Sequence, residues 1–245
     1  MISTRHLLTA MIVVATSTTA LAESTARLLS WSGTEINLTS GEFSDILTSP
    51  GTGFSTADMN EVNSVLQNDG IQTEGRISIM LAQTGAGLSI LTMFDGVETI
   101  DPPGTPTVVT AQAVVPLSAT WQYNIDAGGT FDVLPAGNEL LLSGAFNWNS
   151  GVDSEAMAVS NLDAGQEGSF FLNQIVQGGL INESIQFLTM EAGVWTQAEL
   201  LEFIPDENGG PDFEYITFDI TSIPSPAGFM LLGLAGSISN RRRRR

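Results

Sequence analysis

From residue 24 to residue 222 this chain is built of short runs in which apolar and polar residues alternate, and glycine or a Pro/Asn/Asp cluster breaks almost every run. A side-chain period of two belongs to a strand and cannot follow one face of a helix. In 76–82, Ile77, Ile79 and Leu81 share one face. The run 88–94 follows Gln83-Thr84-Gly85-Ala86-Gly87, the composition of a hairpin loop. Trp121, Tyr123 and Ile125 alternate with Gln122, Asn124 and Asp126, as in a half-buried strand. Further runs at 27–31, 35–38, 107–115, 140–148, 169–176, 185–190 and 213–220 bring the set to about ten. The pattern predicts a mainly β fold, an antiparallel β-sandwich of jelly-roll type.

One segment breaks the period. Ser55 or Thr56 can cap a helix, and Asp58 stands three residues after Ser55, as in a capping box. Met59, Val62 and Leu66 fall on one helical face, and Asn68-Asp69-Gly70 supplies a stop. A second short helix is expected at 197–203. Asp101-Pro102-Pro103-Gly104-Thr105-Pro106 is a stiff connector, read as a loop because composition is alike on both sides. Asn124-Ile125-Asp126-Ala127-Gly128 echoes Asn161-Leu162-Asp163-Ala164-Gly165; Asx/Gly turns resemble one another, which explains the echo without a duplication.

The two ends are different in kind. Residues 1–22 have the plan of a secretory signal peptide. Arg5 is the cationic start, residues 7–15 are the apolar core, and Ala20-Leu21-Ala22 is a small-x-small cleavage site before Glu23. At the other end, residues 223–239 carry no charge. As a helix they would span about 25 Å, against roughly 30 Å for a bilayer core, and flanking arginines can snorkel over the difference. Arg241, Arg242, Arg243, Arg244 and Arg245 would stay on the cytoplasmic side. Pro224 and Pro226 keep the segment before the apolar run extended and accessible.

Ile223, Pro224, Ser225, Pro226 and Ala227, followed by the Gly/Leu-rich run and the terminal arginines, resemble a PEP-CTERM sorting signal. Family members usually have Glu between the prolines, where this chain has Ser225. The resemblance covers about a tenth of the chain. It implies an exosortase-like processing enzyme as partner, transient anchoring in the inner membrane of a Gram-negative bacterium, and release to the cell surface or extracellular matrix. It implies nothing about residues 23–222, the exported body.

Composition limits what that body can do. All 27 carboxylates lie in it, opposed only by Arg27 and Arg76, so its formal charge is 2 − 27 = −25. A nucleic-acid partner is excluded for want of a basic footprint. The simplest use of such a surface is solubility for an exposed protein. There is no cysteine or lysine, and His6, the only histidine, lies in the signal peptide. Serine–histidine triads, thiol nucleophiles, Schiff bases and nitrogen- or sulfur-ligated metals are therefore ruled out. Oxygen chemistry remains, which allows calcium or a two-carboxylate hydrolase. No catalytic residue is assigned and no cofactor is required; the chain reads as a structural or interaction protein and not as an enzyme.

Three groups remain as ectodomain sites. Asp206, Asn208, Asp212 and Glu214 surround a Gly-rich bend and could wrap calcium, although Pro211 stands where an EF-hand needs glycine. The commoner role of such a segment is a solvated acidic turn. Asp153 and Glu155, beside Asn147 and Asn149, form a weaker candidate of the same kind. Trp121, Tyr123, Trp148 and Trp195 could stack on sugars, with the host exopolysaccharide as ligand, although most such aromatics serve the core.

Overall fold

The computed structural model describes residues 23–48, 53–95, 107–124, 129–148, 155–176 and 178–222. The signal-peptide region, the connector at 101–106 and the whole sorting tail lie outside the described residues. Among the described residues no helix is long and apolar enough to cross a membrane.

The elements in chain order are β1 (Thr25–Ser30), β2 (Glu35–Thr39), β3 (Gly41–Phe43), α1 (Thr56–Asn68), β4 (Arg76–Thr84), β5 (Gly87–Asp95), β6 (Thr107–Pro116), β7 (Thr120–Asn124), β8 (Thr130–Ala136), β9 (Glu139–Trp148), β10 (Glu155–Ser160), β11 (Glu167–Val176), β12 (Ile185–Glu191), β13 (Val194–Leu201) and β14 (Asp212–Ser222). They form two sheets. Sheet A has the order β2-β1-β14-β11-β6-β9-β8, and sheet B the order β13-β12-β4-β5-β10-β7, with β3 added beside β4. Sheet A is antiparallel throughout. Sheet B is mixed, since β12 and β3 both run parallel to β4, within an otherwise antiparallel arrangement.

The period of two explains the packing between the sheets. Leu28, Ile36, Val109, Ala111, Phe170, Leu172, Ile216 and Phe218 of sheet A face Ile77, Ile79, Ile90, Phe94, Met157 and Phe187 of sheet B across one core. Each fully buried Val, Leu, Ile, Met or Phe side chain among them contributes about 1.5–3 kcal/mol. The other face of sheet B is covered too. Met59, Val62 and Leu66, the predicted apolar face of α1, pack with Met80, Leu91, Met93, Ala156, Ala158 and Trp195. Strands β5 and β10 are therefore buried on both faces, which is why their sequences read as near-continuous apolar runs.

The start of α1 is as its sequence dictates: Asp58 N donates to Ser55 Oγ and Ser55 N to Asp58 Oδ2, both at 3.1 Å. It ends where Gly70 adopts φ +83°.

Two expectations need correction. Residues 197–201, expected in a second helix, continue strand β13, which pairs with β12 across a turn at Ala192 and Gly193. Both turn residues have positive φ, as a tight hairpin demands, and hairpin pairing together with burial of Trp195 overrides the helical period. In β7, Gln122 is buried while Tyr123 is 41% exposed. Gln122 accepts from Ser160 Oγ at 3.4 Å on the helix side of sheet B. Tyr123 instead stacks on Phe131 of β8 at 4.0 Å, where the edge strands β7 and β8 of the two sheets meet.

Candidate functional site on the open face of sheet A

Sheet B carries the helix. Among the described residues no element covers the outer face of sheet A, and that face holds Trp31, Phe171, Phe213 and Tyr215, which neither core uses. Register sets their layout. Tyr215 of β14 lies opposite Phe171 of β11, Thr217 opposite Ser169, and Asp219 opposite Glu167. On the other side of β14, Leu29 lies opposite Thr217 and Arg27 opposite Asp219; Glu35 of β2 lies opposite Leu29. One band of the face is thus aromatic and the next is charged.

The aromatic band is partly wet. Trp31 is 66% exposed and meets Tyr215 edge-on, ring centroids 6.4 Å apart at 82°. Phe171 and Phe213 stack beside them at 5.9 Å. Trp31 sits at the tip of the β1–β2 hairpin. Ser30 N donates to Thr34 O and Gly33 N to Ser30 O, each at 3.0 Å, and Thr34 N donates to Ser30 Oγ at 3.1 Å. Gly33 has φ +88° with nothing near its absent Cβ, the left-handed geometry that favours glycine in a tight turn. Trp31, the most exposed tryptophan among the described residues, is thus mounted on a hydrogen-bonded turn.

The charged band borders an open concavity of about 570 Å³, lined among others by Arg27, Glu35, Glu139, Glu167, Asp219 and Tyr215. Four carboxylates face one guanidinium, and the Arg27–Asp219 contact at 3.8 Å is solvent-exposed, so it offsets little of that charge. The concavity repels anions. It offers acceptors to a ligand rich in hydroxyl groups.

One carboxylate lies below the face. Glu214 points inward and is 1% exposed; its Oε1 accepts from the backbone N–H of Trp31 at 2.9 Å. Burial pushes its pKa above the ordinary 4.5, and the backbone donors of Trp31 and Tyr215 oppose that shift.

The sequence-predicted sites distribute as follows. Asp206 and Asn208 meet in a turn, where Asp206 Oδ1 accepts from Asn208 N at 2.8 Å and from Asn208 Nδ2 at 3.2 Å. Asp212 begins β14 opposite Gln174, and Glu214 is bonded to Trp31. Among the described residues no group of three or more Asp, Glu, His or Cys side chains is gathered for a metal ion. Glu155 is buried; Asp153 and Asn149 lie outside the described residues. Trp195 is a core residue at 1% exposure, stacked on Phe43 at 5.5 Å. Trp121 packs against the inter-sheet core, and the side chain of Trp148 lies outside the description. Glu23 is exposed at the start of the described body; Ala20, Ala22, Ile223, Pro224, Ser225, Pro226, Ala227 and Arg241 to Arg245 lie outside it.

Sequence reasoning missed Trp31, Tyr215 and Phe171 as a group, because only strand pairing brings residues 31, 171 and 215 together. One signal was present: Trp31 ends a strand and immediately precedes Ser-Gly-Thr, and an aromatic at a hairpin tip has no strand beyond it to cover it. No protein-family profile and no curated protein matches this chain.

Proposed function

We propose that this is an exported, non-enzymatic interaction protein of a Gram-negative cell surface or extracellular matrix, and that it binds a neutral polysaccharide through the open face of sheet A. The observation that carries the binding reading is the exposed Trp31, set edge-on to Tyr215 beside a hydroxyl-accepting concavity. Aromatic faces stack on the apolar faces of sugar rings, and carboxylates accept sugar hydroxyls. The surplus of carboxylates favours an uncharged glycan over an acidic one. We read the architecture as a jelly-roll-type sandwich, since successive strands from β5 to β8 and from β9 to β12 alternate between the sheets, apart from the β8–β9 hairpin.

Delivery rests on the two terminal segments: the signal peptide for export, then Ile223-Pro224-Ser225-Pro226-Ala227 and the arginine cluster for sorting by an exosortase-like enzyme at the inner membrane. A reporter carrying residues 227–245 is expected to stay at that membrane, and one carrying 223–245 to be processed when the enzyme is present. Accumulation of intact protein in the producing strain sinks the sorting reading. For binding, affinity electrophoresis through the producer's purified exopolysaccharide and through a neutral galactomannan is expected to show retardation. Trp31→Ala and Tyr215→Ala should each abolish it. Equal mobility of wild type and both variants in every gel sinks the polysaccharide reading.

A further inference from the structure

We propose that Glu214 is a positioning residue for this platform: from beneath the sheet it fixes the backbone of Trp31, so that the indole stands ready against Tyr215. The inference rests on the polysaccharide reading, which supplies the use of Trp31.

The argument starts from where the ladder stops. β1 pairs with β14 as far as Ser30 opposite Ile216. The next residue of β1 is Trp31, and its N–H donates to the Glu214 carboxylate instead of continuing the strand register. A side chain has taken over a backbone role at the point where the chain turns. The choice of side chain is unusual. Ile216, Phe218 and Ile220, on the same inward face of β14, are apolar and fully or almost fully buried. A carboxyl group among them costs desolvation that an apolar residue would not. What this side chain provides is an acceptor oxygen, 2.9 Å from the Trp31 N–H, at the base of the most exposed aromatic among the described residues. Glu214 adjoins Tyr215 in sequence while their side chains leave opposite faces of the sheet. One residue thus ties together the backbones that present both members of the aromatic pair. A platform fixed before the ligand arrives avoids part of the ordering cost of binding.

The full-length protein in mild detergent serves for the test, with two independent readouts. The first is hydrogen exchange at the Trp31 backbone amide; the second is retardation by galactomannan. Glu214→Gln keeps an acceptor and should preserve both. Glu214→Ala should speed exchange at Trp31 by about tenfold, the scale of one such hydrogen bond, and should weaken retardation several-fold while the amides of β11 stay protected. Glu214→Met, of similar length and with no acceptor, should behave like Glu214→Ala; it decides the matter if the alanine variant does not fold. Unchanged Trp31 exchange in both Glu214→Ala and Glu214→Met overturns the proposal. So does exchange accelerated as much in Glu214→Gln as in Glu214→Ala, which would show that an acceptor oxygen at this position does not hold the Trp31 backbone. If Trp31→Ala still binds galactomannan, the platform reading fails on its own, whatever Trp31 exchange shows in the Glu214 variants.

Discussion

Gly144 of β9 lies directly beneath the ring of Phe131 on β8: a Cβ at Gly144 would stand 2.5 Å from Phe131 Cζ. The two residues are cross-strand partners, and the ring that covers the glycine also stacks on Tyr123 at 4.0 Å and meets Phe146 edge-on at 5.3 Å. The absence of a side chain on one sheet thus makes room for the ring that reaches the edge of the other. Gly144→Val should push Phe131 off the sheet and break its stack with Tyr123, at a cost of about 1–3 kcal/mol. Urea denaturation followed by far-UV circular dichroism measures it. If Gly144→Val costs as much in a Phe131→Ala background as in wild type, the clash with Phe131 is not the cause and the packing argument fails.

The tryptophans should separate cleanly by role. Trp195 is enclosed, its ring on Phe43 and its backbone N–H donating to Asp69 Oδ2 at 2.8 Å. Trp195→Ala should cost about 3–5 kcal/mol. Trp31→Ala removes a ring already in water and should change stability by about 0.5 kcal/mol or less, while removing polysaccharide binding. Melting curves and affinity gels on the same two variants check both halves.

The carboxyl of Glu214 makes stability depend on pH with a definite sign. Burial, the larger influence, raises its pKa in the folded state above the ordinary 4.5. The folded state then holds the proton more tightly than the unfolded chain. The resulting stabilisation is complete below the unfolded pKa and is lost as pH rises through the folded value. Glu214→Gln cannot titrate and still offers an oxygen to Trp31. Relative to wild type, the variant should therefore gain stability between about pH 4 and pH 7. Paired urea melts at the two pH values test this, and a constant difference between the proteins would refute it.

Salt should stabilise the body without help from a particular cation. A charge of −25 over residues 23–222 repels itself within a Debye length of about 10 Å at 0.1 M salt. Sodium chloride should raise the melting temperature. Calcium chloride at equal ionic strength should do no more, since Asp206 is engaged with Asn208 and Glu214 is bonded inward to Trp31. A calcium-specific rise that disappears with EDTA and in the Asp206→Ala, Asp212→Ala double variant would instead establish a site.

Much of the fold was legible in order of residues alone, for a local reason. The period of two at Ile77, Ile79 and Leu81 fixes which side chains can share a face, and Ser55 with Asp58 starts α1 through bonds spanning three residues. The charge of the body and its want of histidine, thiol and lysine are likewise matters of composition, and they confine its chemistry to oxygen ligands before any folding is considered. Strand β13 was misread because pairing with β12 and burial of Trp195 outweigh a weak helical period. Gln122 and Tyr123 exchanged their expected exposure because alternation says which residues share a face, and only the neighbours of that face say whether it is buried. The platform depended wholly on tertiary structure. Residues 31, 171 and 215 are far apart in the chain, and no local preference relates them. Antiparallel pairing of β14 with β1 on one side and β11 on the other brings them into one band, and sheet B, not sheet A, received the helix. That placement leaves Trp31 in water and puts Trp195 in the core.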